Sequence, residues 1–281
     1  MPRPATSLRS LWLLLASAAL LVAAVLALLW FKQEALLFQP QRLPADHRFA
    51  HPPDVHETWV DVPGARLHAL HLRLSQPQGV VFFLHGNAGS LQSWFVDIDF
   101  YRRARFDVYM LDYRGYGKSS GRISSEALLH ADVRAAWDSL APRYAGQPRV
   151  LLGRSLGAGL AAALAAGLPV AEQPELTVLV SPYFSMQALA AELYPWVPGA
   201  LLRYPLRTDL ALPQLKGPLL LVHGAQDRLI APEHSARLLA LVPGAQLARR
   251  VLVPGAAHND LQQSPAYGDA LRAALDALAR R

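Results

Sequence analysis

One pentapeptide restricts the fold of this chain more than any other feature: Gly153-Arg154-Ser155-Leu156-Gly157. It directly follows an apolar run, Arg149–Leu152, that reads as a strand, and runs into a small-residue stretch, Leu156–Ala166, that reads as a helix. A strand that becomes a helix within so few residues leaves no room for side chains at the first and last positions of the turn, so both are glycine. The serine between them is lifted to the carboxyl edge of the sheet, beside the positively polarised N-terminus of the following helix. A plain strand-to-helix turn is the alternative that so short a pattern leaves open.

A serine hydroxyl is a poor nucleophile until a base removes its proton, so the reading requires partners further along the chain. The apolar run Pro218–Val222 is followed by His223-Gly224-Ala225-Gln226-Asp227, and Arg249–Val253 by Pro254-Gly255-Ala256-Ala257-His258. The order Ser155, Asp227, His258 is therefore present, with the acid and the histidine each after a later strand. His258 is the expected base, and Asp227 fixes its tautomer. Asp260, two residues beyond the histidine, is the rival acid and is poorly placed to reach the far ring nitrogen. A third apolar run ends at Leu84 and leads into His85-Gly86-Asn87-Ala88-Gly89. The backbone N–H groups of Asn87 and Leu156 are the expected oxyanion donors, and His85 is expected to brace its loop.

Eight candidate strands (58–62, 66–74, 79–84, 107–111, 149–152, 176–180, 218–222 and 249–253) alternate after the first two with candidate helices at 90–103, 125–140, 156–166, 232–241 and 267–280. That alternation predicts an α/β domain with a mostly parallel sheet covered on both faces, led by a hairpin through Pro63-Gly64-Ala65. Runs such as VVFFL and PLLLV suit strands buried on both faces. The stretch from 183 to about 216 is too long for a single crossover helix and reads as a small cap. Its Tyr183, Tyr194 and Trp196 are expected to line an acyl site beside Ser155; packing on the sheet is the alternative for the same residues.

The N-terminus is of another kind. Ser10–Phe31 contains no charged residue, and as a helix it spans about 33 Å, enough for a bilayer core of about 30 Å. Small residues sit inside the run rather than after it, which favours an uncleaved anchor over a cleaved signal. Residues 1–32 are thus expected to be a single-pass membrane anchor, 33–53 a proline-bearing connector and 54–281 the catalytic domain. Arg3 and Arg9 on one side are matched by Lys32, Arg42 and Arg48 on the other, so flanking charge gives no orientation. An uncleaved signal-anchor, the simplest use of one N-terminal helix, places the catalytic domain outside the cytoplasm.

Several functions are excluded. Without cysteine there is no disulfide, thiolate nucleophile or zinc-thiolate site. The net charge of +6 is spread over single arginines with no basic helix interleaved with aromatics, which argues against nucleic acid. Gly117-Lys118-Ser119 imitates a phosphate loop, but the position that must be its first glycine is Asp112, so nucleotide binding is not expected. His68 and His71 fall on opposite faces of a predicted strand, which disfavours a shared metal.

Taken together, the chain resembles the α/β-hydrolase superfamily, and within it the bud-emergence-type, membrane-anchored branch. The resemblance rests on His85-Gly86-Asn87-Ala88-Gly89, Asp112-Tyr113-Arg114-Gly115-Tyr116-Gly117-Lys118-Ser119, Gly153-Arg154-Ser155-Leu156-Gly157, Ser181-Pro182-Tyr183-Phe184-Ser185, Tyr194-Pro195-Trp196 and the Asp227 and His258 loops. It implies an eight-stranded sheet, no cofactor and no metal, and hydrolysis of an ester or thioester on a small-molecule or lipid-like acyl substrate. Relatives that remove fatty acyl groups after palmitoylation of their own tails carry a cysteine-rich N-terminus, which this chain lacks. A peptidase or amidase on the same residues, or a non-catalytic scaffold, are the competing readings.

Overall fold

The computed structural model describes residues 8–244 and 248–280. Residues 1–7 of the expected anchor and Arg281 of the expected catalytic domain lie outside them.

The chain begins with α1 (Leu8–Phe31), a helix apolar on every side, none of whose most apolar window is covered by protein. A short α2 (Gln33–Leu37) follows. The sheet is then built from β1 (Val55–Val62), β2 (Ala65–Leu72), β3 (Gly79–Leu84), β4 (Phe106–Leu111), β5 (Arg149–Arg154), β6 (Leu176–Val180), β7 (Leu219–Gly224) and β8 (Ala248–Val253). The main helices between and after these strands are α3 (Ile98–Ala104), α4 (Glu126–Leu140), α5 (Leu156–Gly167), α6 (Met186–Leu193), α7 (Glu233–Leu239) and α8 (Pro265–Ala279).

The strands lie in the order β8-β7-β6-β5-β3-β4-β2-β1. β2 runs antiparallel to both β1 and β4, and every other pairing is parallel. The leading hairpin turns where Val62 pairs with Ala65, with Gly64 at φ +74°. This is the α/β-hydrolase fold the sequence predicted.

The uninterrupted apolar runs have a simple origin. Along β3, Val80, Phe82 and Leu84 enter the core beneath α4 and α5, while Val81 and Phe83 enter the opposite core beneath α3 and α8. A strand covered on both faces has no polar side to show. α4 presents Leu129, Val133, Ala136, Trp137 and Leu140 to its core at helical spacing, and the Ser125 hydroxyl caps it by accepting from the Leu128 N–H.

Two local expectations change. The single helix foreseen over 90–103 is two pieces, Leu91–Trp94 and α3, because Asp97 between them adopts φ +55°. The stretch foreseen as a connector is folded against the domain. Gln39–Pro40 pairs in parallel with Ala88–Gly89. Phe38 is buried edge-on against Tyr204, the Gln33 side chain donates to the Leu201 carbonyl at 2.9 Å and accepts from the Arg203 N–H at 2.6 Å, and Glu34 pairs with Arg203 at 2.7 Å.

Candidate active site

Ser155 sits at the junction of β5 and α5 with φ +52°, a left-handed backbone that costs a serine about 1–3 kcal/mol. The glycines around it are sterically obligatory. A Cβ on Gly153 would lie 2.2 Å from the Gly157 carbonyl oxygen, and one on Gly157 would lie 2.0 Å from that of Leu84. The turn therefore closes only with glycine at both ends, which presses Ser155 against the loop that follows β3; a Cβ on Gly86 would come within 3.6 Å of the Ser155 Cβ.

The loops after β7 and β8 bring the other two side chains to this serine. His258 Nε2 lies 3.1 Å from Ser155 Oγ, and its Nδ1 lies 2.7 Å from Asp227 Oδ2. The second carboxylate oxygen, Oδ1, accepts from the backbone N–H groups of Leu229 at 3.0 Å and Ile230 at 2.9 Å. Burial by itself would raise the Asp227 carboxyl. The His223 and His258 rings and the Ile230 N–H outweigh it, holding the group well below the usual carboxylate range. Asp227 is thus a fixed anion with one oxygen turned to the imidazole. The rival acid, Asp260, accepts from the Ala257 N–H at 2.7 Å and so tightens the turn before the histidine instead.

Across the site, the Asn87 side chain is held from two directions. Its Oδ1 accepts from the Gln39 N–H and the Tyr116 hydroxyl, each at 3.1 Å. Among the described hydrogen bonds, neither the Asn87 N–H nor the Leu156 N–H has a protein acceptor. His85 is fully buried, with Nδ1 2.7 Å from the Gly86 carbonyl, Nε2 3.4 Å from Asp112, and its own carbonyl accepting from Tyr113. It braces the loop.

Two residues of the site went unremarked in the sequence. Arg154, the residue before the serine, is buried and donates to the His258 carbonyl at 2.7 Å and to Gln262 at 2.5 Å, with its guanidinium 5.0 Å over the Trp94 ring. His223, at the end of β7, donates to the Ile230 carbonyl and lies 3.3 Å from Asp227. Both carried a readable signal: a charged or titratable residue ending a buried apolar strand must find a partner inside.

The cap residues fall elsewhere than expected. Tyr183 is completely buried, donates to the Leu156 carbonyl at 3.1 Å and packs so closely on α5 that a Cβ on Gly159 would collide with its hydroxyl. It is a core residue that supports the turn, not a wall of a substrate site. Tyr194 and Trp196 are exposed and line a groove whose opposite wall is α1 and α2; none of Ser155, Asp227 and His258 lines that groove. An open cleft of about 450 Å³ does lie against His258, lined also by Gln226, Leu229 and Asn259.

Lys118 and Ser119 of the phosphate-loop imitation are committed to the fold. Lys118 donates to Glu57 and to the His47 carbonyl, and Ser119 donates to the Asp112 carbonyl.

A family model described as serine aminopeptidase, S33, matches residues 75–212. An uncharacterized protein of Mycobacterium tuberculosis is 32% identical over 250 residues, covering 86% of each chain. Alpha/beta hydrolase domain-containing protein 17B of Xenopus tropicalis is 30% identical over 216 residues, covering 74% of this chain and 70% of its own. The chain belongs to the α/β-hydrolase superfamily. Among solved structures, an esterase of Pyrococcus furiosus superposes with a TM-score of 0.67 at 18% identity, over 86% of this chain and 99% of that one. A monoacylglycerol lipase of Paleococcus ferrophilus does so with a TM-score of 0.58 at 20% identity, over 76% and 98%. At such identities these likenesses establish the fold. Fold and family together support hydrolysis as the activity.

Proposed function

We propose that this chain is a membrane-anchored serine hydrolase that cleaves carboxylic ester or thioester bonds through an acyl-enzyme. The observation that carries the reading is the placement of one imidazole between Ser155 Oγ and the Asp227 carboxylate, at 3.1 and 2.7 Å, from three separate loops at one edge of the sheet. His258 takes the Ser155 proton as Oγ attacks the acyl carbon. The oxyanion that forms accepts from the Asn87 N–H in the loop after β3 and from the Leu156 N–H at the start of α5. As the bond to the leaving group breaks, His258 returns the proton to it, and Ser155 is left acylated. Water then attacks the acyl carbon with His258 again as base, and collapse releases the acid and restores the serine. Asp227 remains ionised and stabilises the imidazolium in each half-reaction.

The anchor is α1, with residues 54–281 as the catalytic domain and 33–53 packed onto it. The substrate class is an ester presented near the bilayer. The aminopeptidase description of the matching family model favours a second reading, amide hydrolysis on the same residues.

A fluorophosphonate probe applied to the wild type and to Ser155→Ala tests the core of the proposal without a known substrate. Labelling of the wild type alone is expected. Equal labelling of both removes Ser155 as the nucleophile, and no labelling of the wild type leaves a scaffold. Parallel rates on p-nitrophenyl esters and p-nitroanilides then separate the esterase from the amidase.

A further inference from the structure

The groove between the cap and the N-terminal helices has an unusual composition for a surface feature. It measures about 300 Å³ and is walled by Leu29 and Leu36 on one side and by Tyr194, Trp196, Val197 and Leu201 on the other. No charged residue lines it. One of its two amide side chains, Gln33, already uses its oxygen and nitrogen on Arg203 and Leu201. Water has little to bind there, whereas hydrocarbon can be enclosed on two sides.

Its position is equally specific. Leu29 belongs to the last turn of α1, a 24-residue helix of about 36 Å against a bilayer core of about 30 Å, so the groove opens at the level where the helix leaves the hydrocarbon. Trp30 lies beneath the Arg203 guanidinium at 5.6 Å, and Glu34 accepts from the Tyr204 hydroxyl at 2.9 Å, which fixes the cap against the foot of the helix. Trp196 is 63% and Tyr194 54% exposed on the same edge, the placement that aromatic side chains take at a membrane–water boundary.

We propose that this groove seats one acyl chain of a lipid lying in the bilayer that α1 crosses. The site is separate from the triad. The proposal rests on the membrane-anchored reading above and not on the chemistry at Ser155.

The test uses the full chain carrying Ser155→Ala, so that nothing is turned over, in phosphatidylcholine vesicles doped with a phosphatidylcholine bearing a diazirine midway along one acyl chain. After irradiation, cross-linked peptides are mapped by mass spectrometry. Labels are expected both within Leu8–Phe31 and on the cap segment 190–202. Adding Val197→Glu should lower the cap label about tenfold, since a charge in an apolar groove excludes hydrocarbon. Trp196→Ala, at a more exposed position where folding is less at stake, should lower it several-fold, and neither change should alter the label on α1. Label on α1 with none on the cap overturns the groove alone. Label on neither overturns the membrane anchor and the groove with it. Cap labelling indifferent to both substitutions also overturns the proposal.

Discussion

The Arg154 guanidinium donates to the His258 carbonyl oxygen at 2.7 Å, so the residue before the serine holds the loop that carries the imidazole. Ser155 and His258 are thereby tied through the backbone as well as through the 3.1 Å contact of their side chains. Arg154→Met should leave a folded protein in which His258 is less well placed. We expect kcat to fall by about 10–100-fold with KM little changed, the scale of a small misplacement of a reacting group. Arg154→Lys should recover part of the loss, because one donor still reaches the carbonyl. A loss confined to thermal stability would reduce Arg154 to packing.

The three-residue arrangement makes a ranked prediction. Ser155→Ala and His258→Ala should each lower kcat by about 10⁴–10⁶, since members of such a unit fail together. Asp227→Asn should cost about 10³–10⁴, through the wrong imidazole tautomer. Asp260→Asn should cost less than Asp227→Asn, because its carboxylate holds only the Ala257 N–H. Steady-state rates on a soluble ester give the order, and a reversal of the two acids would displace Asp227 from its role.

Truncation should distinguish the two N-terminal segments. Removing residues 1–32 takes away α1 and spares the docked contacts of Gln33, Glu34 and Phe38, so fluorophosphonate reactivity should persist. Removing residues 1–53 also deletes Phe38, which is buried against Tyr204, and the Gln39 N–H that steadies Asn87. Stability should then drop by about 3–5 kcal/mol, the cost of losing one buried aromatic side chain, with slower serine labelling. Urea midpoints and labelling rates of the two truncations give the comparison.

The buried imidazole of His71 should make stability depend on pH. Burial pushes its pKa down to about 3, helped by the nearby Arg73 and Arg143 charges. Its Nδ1 accepts from Arg73 at 3.1 Å and its Nε2 meets the Tyr144 hydroxyl at 2.7 Å, so the folded protein holds the ring neutral. A histidine whose folded pKa lies below its unfolded value of about 6.5 contributes fully above that value, and the contribution is lost as pH falls below it. Between pH 7 and 5 the wild type should lose about 1–2 kcal/mol from this residue. His71→Phe should lack that part of the loss, as read from urea midpoints at both pH values.

The hydrolase fold and the convergence of Ser155, Asp227 and His258 were legible because they follow from local rules. Gly153 and Gly157 are demanded by a turn in which a Cβ would lie 2.2 and 2.0 Å from backbone oxygens. VVFFL is apolar throughout because its alternate residues enter two different cores. The order of strand ends puts Asp227 and His258 at the same sheet edge as Ser155 wherever the fold forms.

The cap and the connector obey no such rule. An aromatic residue in an irregular segment can point into a core or out to solvent with the same local sequence, and only the packing of distant elements selects between them. Tyr183 was drawn inward by the space over Gly159, while Tyr194 and Trp196 were left facing α1 and α2. In the same way, Gln33 and Phe38 read as linker because their partners, Leu201, Arg203 and Tyr204, lie far along the chain. By itself the sequence determined which residues converge on the carboxyl edge of the sheet, since backbone sterics and strand order act locally and in chain order. What stands against the foot of α1 was decided only in the tertiary structure, where contacts between remote segments set the exposure of each side chain.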